Sequence, residues 1–163
     1  MGLIVVATDG SPSASAALDE GIELAREAGH RIAIVTVWQA LQGDFGLAYP
    51  ATAVLSELLD AERDHAEATL LEARQRAEAA GLEAETYLLT GDPAQTVCRF
   101  AREHDARLIA CGTHGYGTMM SLLAGSVSQE IIRRADCPVL VTHADSKEDT
   151  PGRERGSVLG HRF

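Results

Sequence analysis

The feature that most constrains the fold is a regular alternation of short apolar runs with segments of helical character. The apolar runs are rich in valine and isoleucine, which is typical of strands that are covered on both faces. Strands that alternate with helices predict a parallel sheet with right-handed crossovers and helices on both of its faces. The sequence therefore predicts a single doubly wound α/β domain, with five strands at residues 3–9, 31–38, 82–91, 107–112 and 137–143.

Capping residues mark the ends of two of the predicted helices. Ser11 is suited to cap the first helix, with Pro12 at its first position, and Gly29 is suited to end it. Asp92 and Pro93 mark the start of a later helix in the same way. Because each of these boundaries lies next to a predicted strand, the boundaries agree with the alternation.

Two segments fall outside this pattern. Residues 39–54 are predicted to be irregular, and a long amphipathic helix follows them to about Ala80. From Asp145 the chain is polar and rich in glycine and charge, which is typical of a mobile tail. The predicted organisation is one α/β domain at residues 1–144 and a tail at residues 145–163.

The charge balance excludes some classes of partner. The 163 residues include 14 basic and 24 acidic residues, which give a formal net charge of −10 and a pI of about 4.9. Nucleic acids and anionic membranes need a basic surface, so neither is predicted as a partner. Apolar residues make up 45% of the chain and charged residues 23%, as is typical of a soluble globular protein.

The N-terminus and the cysteines predict a cytoplasmic protein. The chain opens with MGLIVVATDG, which leads into a predicted strand without the basic region and apolar core of a signal peptide. Cys98, Cys111 and Cys137 form no CxxC pair and are predicted to be reduced, buried hydrophobic residues. The six histidines lack the spacing of metal ligands, so no metal site formed by protein side chains is predicted.

Two of the predicted strands end in residues that are suited to a ligand. The first ends in ATDGS, where Asp9 closes the strand and Ser11 begins a helix. The fourth leads into GTHGYGTMMSLLAGSVS, where Gly112 and Gly115 would let the backbone approach a ligand and Gly125 precedes a helix start. Ligands of open parallel sheets bind beyond the carboxyl ends of the strands, and a helix start favours phosphate.

Each of these features also has a purely structural interpretation. The glycine-rich stretch is either a flexible connector or a cradle for phosphate. Ser126 is either a phosphate ligand or a helix cap that forms an ordinary capping box with Gln129. Asp9 either contacts a ligand or forms the turn. The residue types alone leave these alternatives open.

The spacing of the glycines resembles a known signature. The two glycines of GTHG, followed after nine residues by a glycine–serine pair, match the G-x2-G-x9-G-S motif of ATP-binding members of the universal stress protein family. The resemblance extends over about residues 2–143 and includes ATDGS, VTVW and GSVSQEIIRRADCPVLV. It implies a Rossmann-like, five-stranded sheet in the order 3-2-1-4-5, in which Asp9 and Gly112 are neighbours.

The resemblance also implies roles for individual residues. Ala7, Thr8 and Asp9 correspond to positions that contact adenosine, and Val37 corresponds to one that holds adenine through its backbone. The positions around ribose and phosphates correspond to Gly112, Gly115, Gly125, Ser126 and Val127, with Ser128 as an additional phosphate contact. The intervening YGTMMSLLA contains no arginine or lysine, unlike many members, so backbone donors and a Mg²⁺ ion held through the phosphates must meet the phosphate charge.

The predicted function is that of an ATP-binding regulatory protein of the stress response, with no catalytic residues assigned. One alternative is a weak ATP hydrolase or phosphotransferase, although the sequence lacks a P-loop lysine motif. The other is a nucleotide-independent interaction module. The strand at residues 137–143 is predicted to be an apolar edge, which is a liability unless it is paired or covered. The resemblance implies that it pairs with its counterpart in a two-fold homodimer.

Overall fold

The structure, a computed structural model, describes residues 1–38, 51–113 and 125–144. The predicted tail at residues 145–163 lies outside this part of the chain. The described residues form strands and helices in strict alternation. In chain order these are β1 (Leu3–Ala7), α1 (Pro12–Ala28), β2 (Arg31–Trp38), α2 (Ala51–Ala79), β3 (Ala84–Thr90), α3 (Pro93–Glu103), β4 (Ala106–Gly112), α4 (Ser126–Arg134) and β5 (Val139–Thr142).

The five strands form one parallel sheet in the order β3-β2-β1-β4-β5. The chain builds outward from β1 through β2 to β3, and then returns to the other side of β1 for β4 and β5. The fold class and the strand order are therefore confirmed. The strand order reverses between β1 and β4, which is where open sheets of this kind bind ligands.

The core has two layers, one on each face of the sheet. Along β1, Ile4 and Val6 lie in a cluster with residues of α1 and α2. Leu3 and Val5 lie in a cluster with residues of α3 and α4 on the opposite face. Because successive side chains of a strand point to opposite faces, a strand covered on both sides must be apolar throughout. The uninterrupted apolar runs of the sequence have this cause.

The predicted caps are present at the helix ends. The Ser11 hydroxyl accepts a hydrogen bond from the Ala14 N–H at 3.3 Å, and Gly29 ends α1 in the left-handed conformation with φ = 63°. The Asp92 carboxylate accepts a hydrogen bond from the Gln95 N–H at 2.9 Å. These contacts satisfy donors that a helix start otherwise leaves without partners.

Several predicted boundaries need correction. Strand β1 ends at Ala7 rather than at Asp9, because the side chains of Thr8 and Asp9 hold the turn into α1, and β3 spans Ala84–Thr90 rather than residues 82–91. Helix α2 begins at Ala51, so the irregular segment predicted for residues 39–54 was wrong at its C-terminal end, where two alanines favour helix. Residues 39–50 lie outside the described part of the chain. Strand β5 begins at Val139 rather than at residue 137, because the preceding Pro138 has no N–H to donate and contributes only its carbonyl, which accepts from Ile109 at 3.0 Å.

The three cysteines are free thiols in the structure. Cys98 of α3 and Cys111 of β4 are buried in the core layer between the sheet and helices α3 and α4. Cys137 is half-buried and packs against the same layer. Burial raises the pKa of all three thiols. Among the described helices, none combines the length and the apolar character that crossing a membrane requires.

Candidate functional site

The carboxyl ends of β1 and β4 lie side by side at the point where the strand order reverses. Ala7, the last residue of β1, is in register with Val35 of β2 and Cys111 of β4. A cavity of about 180 Å³ opens beyond these strand ends, and both Asp9 and Gly112 line it. The two strand ends that the sequence singled out therefore contribute to one site.

Most of the predicted site residues line this cavity. Seven of the ten do so, namely Ala7, Thr8, Asp9, Val37, Gly112, Val127 and Ser128. Gly125 and Ser126 directly precede Val127 at the start of α4. Gly115 lies outside the described residues.

The remaining lining residues, called the floor of the cavity, were not among the predicted site residues. They are Ser11, Ala14, Val35, Pro93, Val97, Cys111 and Ile131. The alternation of side chains along the strands could have identified Val35 and Cys111, because they share a face of the sheet with Ala7. No local signal marks Val97 or Ile131, because their place over the site depends on how α3 and α4 cross the sheet.

The turn after β1 is held by its own side chains. The Thr8 hydroxyl accepts a hydrogen bond from the Gly10 N–H at 3.2 Å, and Asp9 Oδ1 accepts one from the Ser11 N–H at 2.9 Å. Gly10 has φ = 78°, a conformation that side chains other than glycine rarely adopt. Asp9 thus has the turn-forming role, and it lies on the cavity wall as well.

Gly112 is explained first by packing against α1. A Cβ atom at this position would lie 2.5 Å from the Ala14 nitrogen and 2.5 Å from the Ser13 hydroxyl oxygen. Such distances are far inside van der Waals contact, so the start of α1 could not lie so close to β4 if residue 112 had a side chain. The sequence predicted that this glycine lets a ligand approach, and the structure adds a packing reason that applies without a ligand.

The start of α4 has no side-chain cap. Gly125 occupies the N-cap and Ser126 is the first helical residue, so the capping box of Ser126 with Gln129 was wrong. The Ser128 hydroxyl lies 2.9 Å from the carbonyl oxygen of Gly125 and 3.3 Å from that of Thr113. An uncapped helix start presents backbone N–H groups and the positive end of the helix dipole, which favour an anion.

The cavity carries little charge. Among the described residues that line it, Asp9 has the only charged side chain. Burial raises the pKa of the Cys111 thiol to about 11, so this part of the floor is neutral at pH 7. The described residues contain no group of three or more His, Cys, Asp or Glu side chains placed to hold a metal ion. The site is therefore an apolar cleft with hydroxyl and backbone groups at its rim.

Fold and site together define a doubly wound α/β protein with a cavity at the topological switch point of its sheet. The family model of the universal stress protein family matches residues 1–143, and the chain belongs to this family. Universal stress protein MJ0531 of Methanocaldococcus jannaschii is 34% identical over 146 residues, a match that covers 89% of this chain and 84% of that protein.

Solved structures of the same family have the same fold. The universal stress protein UspA from Lactobacillus plantarum is 28% identical with a TM-score of 0.73, and the match covers 86% of this chain and 97% of that one. A universal stress protein in complex with cAMP is 30% identical with a TM-score of 0.66, covering 88% and 97%. The universal stress protein from Archaeoglobus fulgidus in complex with dAMP is 26% identical with a TM-score of 0.60, covering 87% and 97%.

Proposed function

We propose that this protein binds an adenine nucleotide, ATP, in the cavity at the carboxyl ends of β1 and β4, and that it acts as a nucleotide-dependent regulator in the stress response. The observation that carries the proposal is the combination of an apolar cleft with an uncapped helix start at its rim. The relatives with bound cAMP and dAMP support adenine nucleotides as the ligand class.

The chemistry of the cavity suits the parts of such a ligand. Its apolar floor, with Val35 and Val97, matches the faces of a purine base. The backbone of Val37 is assigned to adenine, and the Asp9 carboxylate is suited to accept hydrogen bonds from a ribose hydroxyl. The N–H groups at the start of α4 are suited to a phosphate. The negative charge of Asp9 repels the negatively charged phosphates. Mg²⁺ held through the phosphates would lower this repulsion.

Regulation is favoured over rapid turnover by the residues at the cavity. Phosphoryl transfer needs a positioned base and cationic groups that stabilise the transition state. The described lining contains no histidine, lysine or arginine. This lining favours binding of a nucleotide over its rapid hydrolysis, as expected of a regulator.

We expect protein purified without added nucleotide to release an adenine nucleotide when it is denatured, as identified by liquid chromatography and mass spectrometry. Nucleotide that remains ATP during incubation with Mg²⁺ supports the regulator, and steady conversion to ADP supports the weak ATPase. If the purified protein retains no nucleotide and does not bind added ATP, the proposal is contradicted. The nucleotide-independent interaction module is then the remaining alternative.

Val127→Asp tests the assignment of the phosphate end. Val127 lines the cavity and its side chain is 42% exposed, so an aspartate there is tolerated by the fold and places a negative charge beside the phosphates. We expect roughly tenfold weaker ATP binding by calorimetry. The matched control is Ile132→Asp on the same helix, where the side chain is 53% exposed. Equal affinities of the two variants would contradict the assignment.

The edge strand β5 is proposed to form the two-fold homodimer. The carbonyl of Pro138 accepts a hydrogen bond from the N–H of Ile109 in β4, and the carbonyl of Thr142 accepts one from the N–H of Thr113 directly after β4. Because successive residues of a strand face opposite edges, Val139 and Val141 then present their N–H groups to the outer edge. Val141→Pro removes one of these outer donors, and we expect it to convert a dimer into a monomer in sedimentation velocity with unchanged circular dichroism. A wild-type monomer at micromolar concentration would contradict the dimer.

A further inference from the structure

Thr142, the last residue of β5, joins two of the elements that form the cavity wall. Its hydroxyl donates a hydrogen bond to the carbonyl of Ser13 in the first turn of α1, at 2.8 Å. Its own carbonyl accepts a hydrogen bond from the N–H of Thr113, directly after β4, also at 2.8 Å. One residue of an edge strand thus fixes the start of α1 relative to the end of β4.

The same connection continues to the start of α4. The carbonyl of Thr113 accepts a hydrogen bond from the Gly125 N–H, and the Ser128 hydroxyl lies 3.3 Å from the same oxygen. Thr113 is 3% exposed and Ser128 is 2% exposed, so water cannot readily replace these contacts. The position of β5 is therefore transmitted through Thr113 to the helix start assigned to phosphate.

The start of α1 packs closely against β4, which limits how far it can absorb a shift of β5. Gly112 lies so close to Ser13 and Ala14 that the space for a Cβ atom is absent. Ala14 lines the cavity, and its N–H is bonded to the Ser11 hydroxyl. A displacement of the Ser13 carbonyl is consequently a displacement of the cavity wall.

We propose that Thr142 is a positioning residue for the nucleotide site, through which the state of the edge strand β5 and the occupancy of the cavity influence each other. This inference rests on the proposed nucleotide binding. Any contact that moves β5 changes the affinity for the nucleotide, and by linkage the nucleotide stabilises β5 by the same free energy. The cavity and the outer edge of the sheet are then two ends of one hydrogen-bonded unit.

Thr142→Val removes the hydroxyl and preserves the shape of the side chain. We expect roughly threefold to tenfold weaker binding of ATP and AMP by calorimetry, which corresponds to one lost positioning hydrogen bond. Thr142→Ser retains the donor and is expected to restore the affinity. The matched control is Thr69→Val, which removes a hydroxyl that donates to the carbonyl of His65 within α2 at 3.0 Å and does not line this cavity. The affinity of Thr69→Val for ATP and AMP is expected to stay within about twofold of the wild-type value.

A second measurement needs no variant. Addition of nucleotide to the wild-type protein is expected to slow hydrogen exchange of the Thr113 amide, because that N–H donates to β5. If the wild type binds nucleotide but Thr142→Val binds equally well and the Thr113 amide exchanges at an unchanged rate, the positioning role is wrong. If the wild type binds neither ATP nor AMP, the proposed function fails and this inference fails with it.

Discussion

Alanine at Gly112 is expected to lower the free energy of unfolding by about 1–3 kcal/mol, the range for inserting an atom into a well-packed interior. The added Cβ would lie 2.5 Å from the Ala14 nitrogen and 2.6 Å from the Ser13 carbonyl carbon. Both are backbone atoms of a helix start, so the helix must move as a unit to relieve the overlap. Since Gly112 and Ala14 both line the cavity, we expect nucleotide affinity to fall as well.

Urea unfolding measures this effect as a lower midpoint at an unchanged denaturant slope. Gly2→Ala is the matched control, because a Cβ there would lie 3.1 Å from the Arg107 Cδ atom and 3.3 Å from its Cβ atom, so a shift of a few tenths of an ångström relieves both contacts. We expect this control to unfold almost as the wild type does. A Gly112→Ala variant of wild-type stability would mean that α1 can withdraw from β4 freely, contrary to the packing described above.

Alkaline pH is expected to destabilise the protein through Cys111. Burial raises the pKa of this thiol from an ordinary value of 9.0 to about 11. Between these values the unfolded chain loses the thiol proton while the folded protein keeps it, so deprotonation favours unfolding. The stabilisation is complete below about pH 9 and is lost as the pH rises through about 11, on the order of 2 kcal/mol in total.

Unfolding free energies of the wild type and of Cys111→Ala, measured from about pH 8 to about pH 11, separate this contribution. The pKa values of Cys98 and Cys137 are also raised by burial, and their effect is present in both proteins. We therefore expect the stability of the wild type to fall more steeply above about pH 9 than that of the variant. Parallel profiles would mean that the folded protein ionises this thiol as easily as the unfolded chain.

The features of the fold that depend on near neighbours could be predicted from the sequence. Apolar runs identified the strands, and Ser11, Asp92 and Gly29 identified the helix ends, because each acts on backbone groups within a few residues. The start of α4 was harder, because serine and glycine are both acceptable caps. The structure places Gly125 there, with its N–H bonded to the carbonyl of Thr113.

The candidate site likewise has a part that depends on local sequence and a part that depends on how distant elements pack. Its rim follows from strand ends and glycines that are visible in the sequence, whereas its floor depends on α3 and α4 crossing the sheet. Val97 and Ile131 have nothing in their local sequence to distinguish them from other core residues. The role of Gly112 could not be read locally either, since its close neighbours Ser13 and Ala14 are about a hundred positions away in the chain.

The hydrogen bond from the Gly125 N–H to the Thr113 carbonyl has a consequence for substitutions in the residues between them. It joins the two residues that flank residues 114–124 in the described part of the chain. Because only backbone atoms of Thr113 and Gly125 make this contact, it does not require particular side chains in residues 114–124, and the entropy of closing a chain segment grows only logarithmically with its length. Exchange of residues 114–124 for a cation-bearing segment is consequently a way to change ligand preference while β4, β5 and α4 keep their positions.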